Sequence, residues 1–182
     1  MRRVVIEKWR DYMIQCYFGN GKGKTTAAIG LSVRCVGCGN KVLFVQFLKN
    51  NDSSEFKVLK DINGIDILYS KNYYALYDNL NKERISAISE AYIRLLFEDT
   101  KNKAIFYQMI VLDEILDAVE YGYIDEDKLI KLLSEIKKYS EIILTGHKIT
   151  KKIENISDYV SEIKEISHPY TKGVLAREGI EF

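Results

Sequence analysis

The sequence predicts a three-layer α/β sandwich on a mainly parallel sheet, and three observations predict it. Four short apolar runs are near-continuous, as in strands buried on both faces, and do not alternate with polar residues. Helical patterns lie between these runs, and strands alternating with helices imply parallel pairing through crossovers. The first run is followed directly by a glycine cluster that opens the first helix: six of the chain's 11 glycines fall between positions 19 and 39.

In chain order, the buried strands are expected at 13–18, 41–47, 109–113 and 141–145, with weaker runs at 65–69 and 159–166. The helical patterns cover 24–38, 81–99, 125–139 and 150–155. In such a sheet ligands bind at the carboxyl ends of the strands. The two motifs described below both sit at such ends.

Size and composition agree with one globular domain. The 182 residues are 47% hydrophobic and 29% charged, with no low-complexity segment and no internal repeat. The whole span 1–182 is therefore expected as a single domain, with 1–12 as a flexible, basic N-terminal segment. A net charge of +1 gives no global field for nucleic acid or an anionic membrane. No apolar run approaches the roughly 20 residues that span a bilayer, and no signal-peptide core is visible, so a cytoplasmic location is expected. Three cysteines make no disulfide framework. Cys35 and Cys38 fit C-x-x-C but fall inside a predicted helix without a second pair, which favours packing over metal or redox chemistry.

Residues 19–26 read Gly19-Asn20-Gly21-Lys22-Gly23-Lys24-Thr25-Thr26. Glycines let such a loop curl until successive N–H groups point inward as an anion nest, and the following helix adds its positive dipole end. Lys24 supplies a cation for phosphate oxygens, and Thr25 a hydroxyl for Mg²⁺. A phosphate loop is therefore expected, and with it the P-loop NTPase (RecA-like) fold class; the alternative is a glycine-rich strand-to-helix turn that holds no ligand. The common loop has four residues between its first glycine and the Gly-Lys pair. Here Gly19 and Gly23 enclose only Asn20, Gly21 and Lys22.

The second motif is Met109-Ile110-Val111-Leu112-Asp113-Glu114, a buried strand ending in two carboxylates. In phosphate-loop proteins an acid here holds Mg²⁺, directly or through water. Neighbouring residues on a strand face opposite ways, so only a break at the strand end lets both reach one metal. The alternative is an acid pair that merely favours the next helix's dipole.

With these residues in view, the chain resembles the P-loop-type ATP:corrinoid adenosyltransferases. Residues 19–28 reproduce that family's Gly-Asn-Gly-Lys-Gly-Lys-Thr-Thr-Ala-Ala, shortened loop included. Val45-Gln46-Phe47-Leu48-Lys49, Val111 to Glu114, Leu144-Thr145-Gly146, His168-Pro169-Tyr170 with Gly173, and Gly179-Ile180-Glu181-Phe182 follow in family order. The resemblance implies transfer of the 5′-deoxyadenosyl group of ATP to the cobalt(I) of a reduced corrinoid, with release of triphosphate. It implies ATP contacts at Gly19, Asn20, Gly21, Lys22, Gly23, Lys24, Thr25 and Thr26, and Mg²⁺ at Thr25, Asp113 and Glu114. Lys24, Thr25 and Glu114 are the implied catalytic residues. Arg34, Gln46 and Lys49 match positions near the nucleotide, where each is open between direct contact and a solvated arginine or a polar strand-end cluster. A flavoprotein or other reductase and a homodimer are further expectations of the resemblance.

Cobalt(I) is already a strong nucleophile, and the chain has two histidines and no legible nucleophile–base–orienter set. The protein's task is to stabilise charge on the leaving triphosphate. Three departures from the family are visible: His147 stands where arginine is usual, Ser167 where lysine is usual, and Tyr69 to Tyr77 where a glycine- and tryptophan-containing segment is usual. Those tyrosines either offer aromatic faces to the corrin ring or pack locally. The lone tryptophan, Trp9, lies in the variable N-terminal segment. Competing readings are another P-loop kinase or NTPase, with Glu114 positioning a water or hydroxyl, and an ATP-sensing module without catalysis.

Overall fold

The computed structural model describes residues 11–49, 53–69 and 82–180. The N-terminal segment with Trp9, most of the tyrosine-rich stretch including Tyr73 and Tyr74, and Glu181 with Phe182 lie outside the described residues.

The six apolar runs all form strands: β1 (Ile14–Phe18), β2 (Val42–Gln46), β3 (Ile65–Tyr69), β4 (Met109–Asp113), β5 (Glu141–Gly146) and β6 (Tyr159–Glu162). They make one sheet in the order β3-β2-β4-β5-β1-β6, parallel at every pairing. β2 and β4 are buried throughout, as expected for central strands covered on both faces. β6 is exposed along its length, and it is an edge.

Alternation along the strands feeds two cores. Val42 and Phe44 of β2 point to one face, where they meet Ala28 of α1 (Lys24–Gly37) and Phe56 and Leu59 of α2 (Ser54–Leu59). Leu43 and Val45 point to the other. There the cover is α3 (Lys82–Arg94) with its continuation, then α5 (Ile115–Glu120), α6 (Glu126–Ile136) and α7 (Lys151–Ile156). That is the expected three-layer sandwich.

The differences from the expected elements have local causes. The single helix expected at 81–99 is α3 followed by a π-helical turn (Leu95–Thr100), then α4 (Lys101–Lys103) and a 3-10 turn. Buried Thr100 donates its hydroxyl to the Leu95 carbonyl five residues back, at 2.8 Å, across the widened turn. α6 starts one residue after the expected boundary because Asp125 is its N-cap, accepting from the Lys128 N–H at 2.9 Å. α2 and α5 lie outside the helical patterns expected from sequence. β6 ends at Glu162, four residues before the expected limit, because the chain then turns across the phosphate loop. Among the described residues no helix is long and apolar enough to cross a membrane.

Register puts the functional ends together. Phe18 is level with Gly146 of β5 and Glu162 of β6, while Gln46 is level with Asp113 of β4 and Tyr69 of β3. The sites at the ends of β1 and β4 are separated by one strand, β5.

Candidate active site

The phosphate loop runs from the end of β1 into α1 and is fixed mainly through its backbone. Gly19 has φ +119°, and a Cβ there would lie 2.3 Å from the Ile163 carbonyl oxygen, so no side chain fits. The Gly19 N–H donates to the His147 carbonyl at 3.0 Å and the Gly21 N–H to the Ile163 carbonyl at 2.8 Å. Asn20 accepts the Glu165 N–H at 3.0 Å through its side-chain oxygen. The segment after β6 thus forms one wall of the loop, and the turn after β5 another.

The two loop lysines reach different partners. Lys22 is exposed and donates to the Ile180 carbonyl at 2.7 Å, tying the C-terminal segment to the loop. Lys24 folds back onto the Gly21 carbonyl at 2.9 Å. Burial lowers the Lys24 pKa, and the nearby charges of Asp117 and Glu114 oppose that shift. Thr26 is exposed on the first turn of α1.

At the end of β4 a polar cluster gathers side chains from four elements. Asp113 is fully buried; one carboxylate oxygen accepts from Thr25 at 2.9 Å and Thr145 at 2.7 Å, the other from Lys49 at 3.0 Å. A buried carboxylate is tolerable only with such partners. The Lys49 ammonium also lies 3.1 Å from Glu114 Oε1 and 3.0 Å from the Thr25 hydroxyl. Thr145 links both acids, because its oxygen accepts the Glu114 N–H at 2.8 Å.

The strand-end break required for both acids to converge is present. Glu114 has φ +61°, and Leu48, just before Lys49, has φ +52°. Among the described residues these are the only non-glycine positions with positive φ, and each turns a charged group into the cluster. One ammonium faces two carboxylates. Asp113 holds the two hydroxyls as well. Burial pushes the Glu114 pKa up to about 7 against the pull of Lys49, with the Asp113 charge adding to the rise. Burial acts to lower the Lys49 pKa, but the two carboxylates override it and hold Lys49 above the usual lysine range.

Several polar atoms are left unpaired. The buried Gln46 amide makes no hydrogen bond through either end, and Glu114 Oε2 and Asp117 Oδ2 also lack a partner. Unpaired buried polar atoms are costly, which makes these atoms candidates for contact with a ligand's polar groups. Asp117, 3% exposed, accepts the His147 N–H at 3.0 Å through its other oxygen and lies 3.1 Å from His147 Nδ1. The His147 ring is exposed above that contact.

The structure therefore brings Gly19 to Thr25, Gln46, Lys49, Asp113 and Glu114 to one edge of the sheet. Arg34 is not among them: it is exposed in the last turn of α1, ten residues and about 15 Å of helix rise from Lys24. Tyr69 packs edge-on against Phe56, ring centroids 6.1 Å apart, a packing role for that one tyrosine. Cys35 and Cys38 are free, at the C-terminal end of α1. The sequence alone assigns no role to Thr145 or Asp117. Thr145 lies in the Leu-Thr-Gly signature, whereas nothing in the pattern of Ile115 to Val119 marks Asp117 as a site residue.

The donor set suits Mg²⁺ that arrives with a nucleotide. Thr25, Asp113 and Glu114 are hard oxygen donors, and Glu114 has an oxygen to spare. Among the described residues no group of three or more His, Cys, Asp or Glu forms a metal site. A Mg²⁺ shared with phosphates needs only one or two protein ligands and keeps its waters.

Comparison with known proteins agrees with this geometry. The family model for ATP:corrinoid adenosyltransferase BtuR/CobO/CobP matches residues 10–182. The chain is 30% identical to the corrinoid adenosyltransferase of Escherichia coli K12 over 173 residues, covering 93% of this chain and 85% of that protein. It is 30% identical to the corrinoid adenosyltransferase CobA of Salmonella typhimurium LT2 over 182 residues, covering 99% and 90%. A corrinoid adenosyltransferase of Pseudomonas aeruginosa is 26% identical, with 90% and 80% covered. With a phosphate loop facing an acid pair across one strand, and a family match over nearly its whole length, this chain belongs to the ATP:corrinoid adenosyltransferase family.

Proposed function

We propose that the triphosphate of ATP lies along the phosphate loop, with Lys22 and Lys24 as its cations, while Thr25, Asp113 and Glu114 hold the accompanying Mg²⁺. The carrying observation is that Thr25, next to the loop's Lys24, donates to Asp113 at 2.9 Å, which joins the loop to the acid pair. In adenosyl transfer the electron pair of cobalt(I) attacks C5′ of ATP, the C5′–O5′ bond breaks, and that bonding pair leaves on the triphosphate. No protein base is required for this step. The residues here act on the leaving group: loop N–H groups, the α1 dipole and two lysines stabilise its growing charge. Mg²⁺ held by Thr25, Asp113 and Glu114 would supply further neutralisation of phosphate oxygens. Positioning C5′ in line with cobalt supplies much of the remaining acceleration.

Gln46, buried with an unpaired amide beside Asp113, is assigned to the bound nucleotide or its metal-held water. A flavoprotein or other reductase delivers cobalt(I), and a homodimer is the assembly; both rest on the family resemblance. The test is anaerobic incubation with ATP, Mg²⁺ and chemically reduced corrinoid, followed by ultraviolet–visible spectra. Appearance of the alkyl-cobalt spectrum, lost when ATP is omitted, supports the proposal. An unchanged cobalt(I) spectrum overturns it.

A further inference from the structure

The position best suited to Mg²⁺ is surrounded by oxygens that already share a cation. Lys49 Nζ lies 3.0 Å from Thr25 Oγ1, 3.0 Å from Asp113 Oδ2 and 3.1 Å from Glu114 Oε1. They belong to the three residues assigned to the metal above, and only Glu114 Oε2 is left without a partner. The lysine is aimed there on purpose of the backbone: Leu48 adopts φ +52°, its N–H is held by the Tyr92 hydroxyl at 2.9 Å, and the Phe47 N–H by the Asp113 carbonyl at 3.0 Å. A leucine in that conformation is strained, and strain of this kind persists where surroundings over-determine it.

An ammonium and Mg²⁺ exclude one another here. Mg²⁺ binds oxygen at about 2.0–2.1 Å. Shared use of these oxygens would place a +2 and a +1 charge within about 4 Å, a repulsion that a partly buried site screens poorly. We propose that Lys49 is a resident counter-cation: it holds Thr25, Asp113 and Glu114 together before nucleotide binds and leaves them for the triphosphate when Mg²⁺ arrives. The proposal rests on the assignment of Mg²⁺ to these three residues.

Its consequences are specific. The acid pair does not attract divalent metal by itself, so metal enters only with the nucleotide, whose phosphates supply both ligands for Mg²⁺ and a new partner for Lys49. The displaced ammonium has a short path, since it already touches the hydroxyl of Thr25, the residue after the loop's Lys24. Lys49 is thus a positioning residue for the acids in the free protein and a cation for the leaving group in the complex.

The experiment uses Mn²⁺ as the probe, with free Mn²⁺ read by electron paramagnetic resonance, without corrinoid. Wild-type protein should take up Mn²⁺ with ATP present, measured against the same ATP without protein because ATP itself binds Mn²⁺, and little without ATP. Lys49→Met should bind Mn²⁺ in the absence of ATP at least about tenfold more tightly than wild type, because a competing charge some 3 Å from the carboxylates is gone. Glu114→Gln added to Lys49→Met should remove that binding, and Lys49→Arg, which keeps a cation, should not create it. If Lys49→Met gains no ATP-independent Mn²⁺ binding, the proposal is overturned while the metal assignment stands. If wild type takes up no Mn²⁺ even with ATP, both are overturned. A second readout uses the wild-type chain: with ¹³C-labelled lysine, the Lys49 resonance, assigned by its loss in Lys49→Arg, should move when Mg²⁺ is added to the ATP complex. A stationary resonance overturns the proposal without recourse to the methionine variant.

Discussion

The phosphate loop and the acid–lysine cluster lie one strand apart, yet they are built in opposite ways. The loop is held by backbone: Gly19 and Gly21 donate to carbonyls of His147 and Ile163, and no side chain fits at Gly19. The cluster is held by side chains from four elements, and its backbone turns on two strained residues that are not glycine, Leu48 and Glu114. A loop that grips many phosphate oxygens needs closely spaced N–H groups and little else. A metal position needs a few oxygens at fixed places, and these come from distant parts of the chain. The difference teaches that the two halves of the candidate site are supported by separate devices, joined through Thr25.

The largest expected effect falls on the loop. Lys24→Ala removes a cation from the leaving group, and turnover should drop by about 10²–10³-fold, with the melting temperature near that of wild type. Near-normal turnover by a folded variant would show that the loop does not hold the triphosphate. Next in size is Gly19→Ala, which forces a Cβ to 2.3 Å from the Ile163 oxygen at φ +119°. Urea unfolding should show a loss of about 1–3 kcal/mol. An unaltered midpoint would mean that the wall formed after β6 yields freely.

Changes in the cluster should act on metal dependence instead. Glu114→Gln should raise the Mg²⁺ concentration for half-maximal turnover by about tenfold or more, whether the metal is held directly or through water. An unchanged Mg²⁺ titration would return Glu114 to a purely structural role. The same variant sharpens the electrostatic side of the comparison. The Glu114 pKa is raised from 4.5 to about 7 in the folded protein, so between those values the folded state binds more protons than the unfolded one. Stability should therefore fall as pH rises from about 4.5 to about 7 and level off above. The raised Lys49 pKa acts only at strongly alkaline pH and leaves this window alone. Melting temperatures of nucleotide-free wild type and Glu114→Gln across pH 5–8 check it: the slope should be absent in the variant. The smallest effect is expected at Arg34. Exposed and about 15 Å of helix from Lys24, it should tolerate Arg34→Ala with the ATP KM changed less than about threefold.

The fold and the loop were legible because both have local signatures. Near-continuous apolar runs identified β1, β2, β4 and β5, weaker runs identified β3 and β6, and Gly19 to Thr26 stated the loop in eight consecutive residues. The acid pair was legible as a pair, but its convergence was not: it depends on the conformation of Glu114, a residue type with no preference for positive φ. The placement of Lys49 was open for the same reason, since it follows from Leu48. Thr145 and Asp117 act through partners more than thirty and about thirty residues distant, at Asp113 and His147. No local pattern encodes such contacts.

One measurement tests the account most directly: phosphorus magnetic resonance of the anaerobic reaction of ATP, Mg²⁺ and reduced corrinoid, with the alkyl-cobalt product quantified in the same sample. If the loop holds the triphosphate as the leaving group, one intact triphosphate should appear for each adenosylated corrinoid. Diphosphate or inorganic phosphate as the stoichiometric product, or phosphate release without a cobalt–carbon bond, would contradict it.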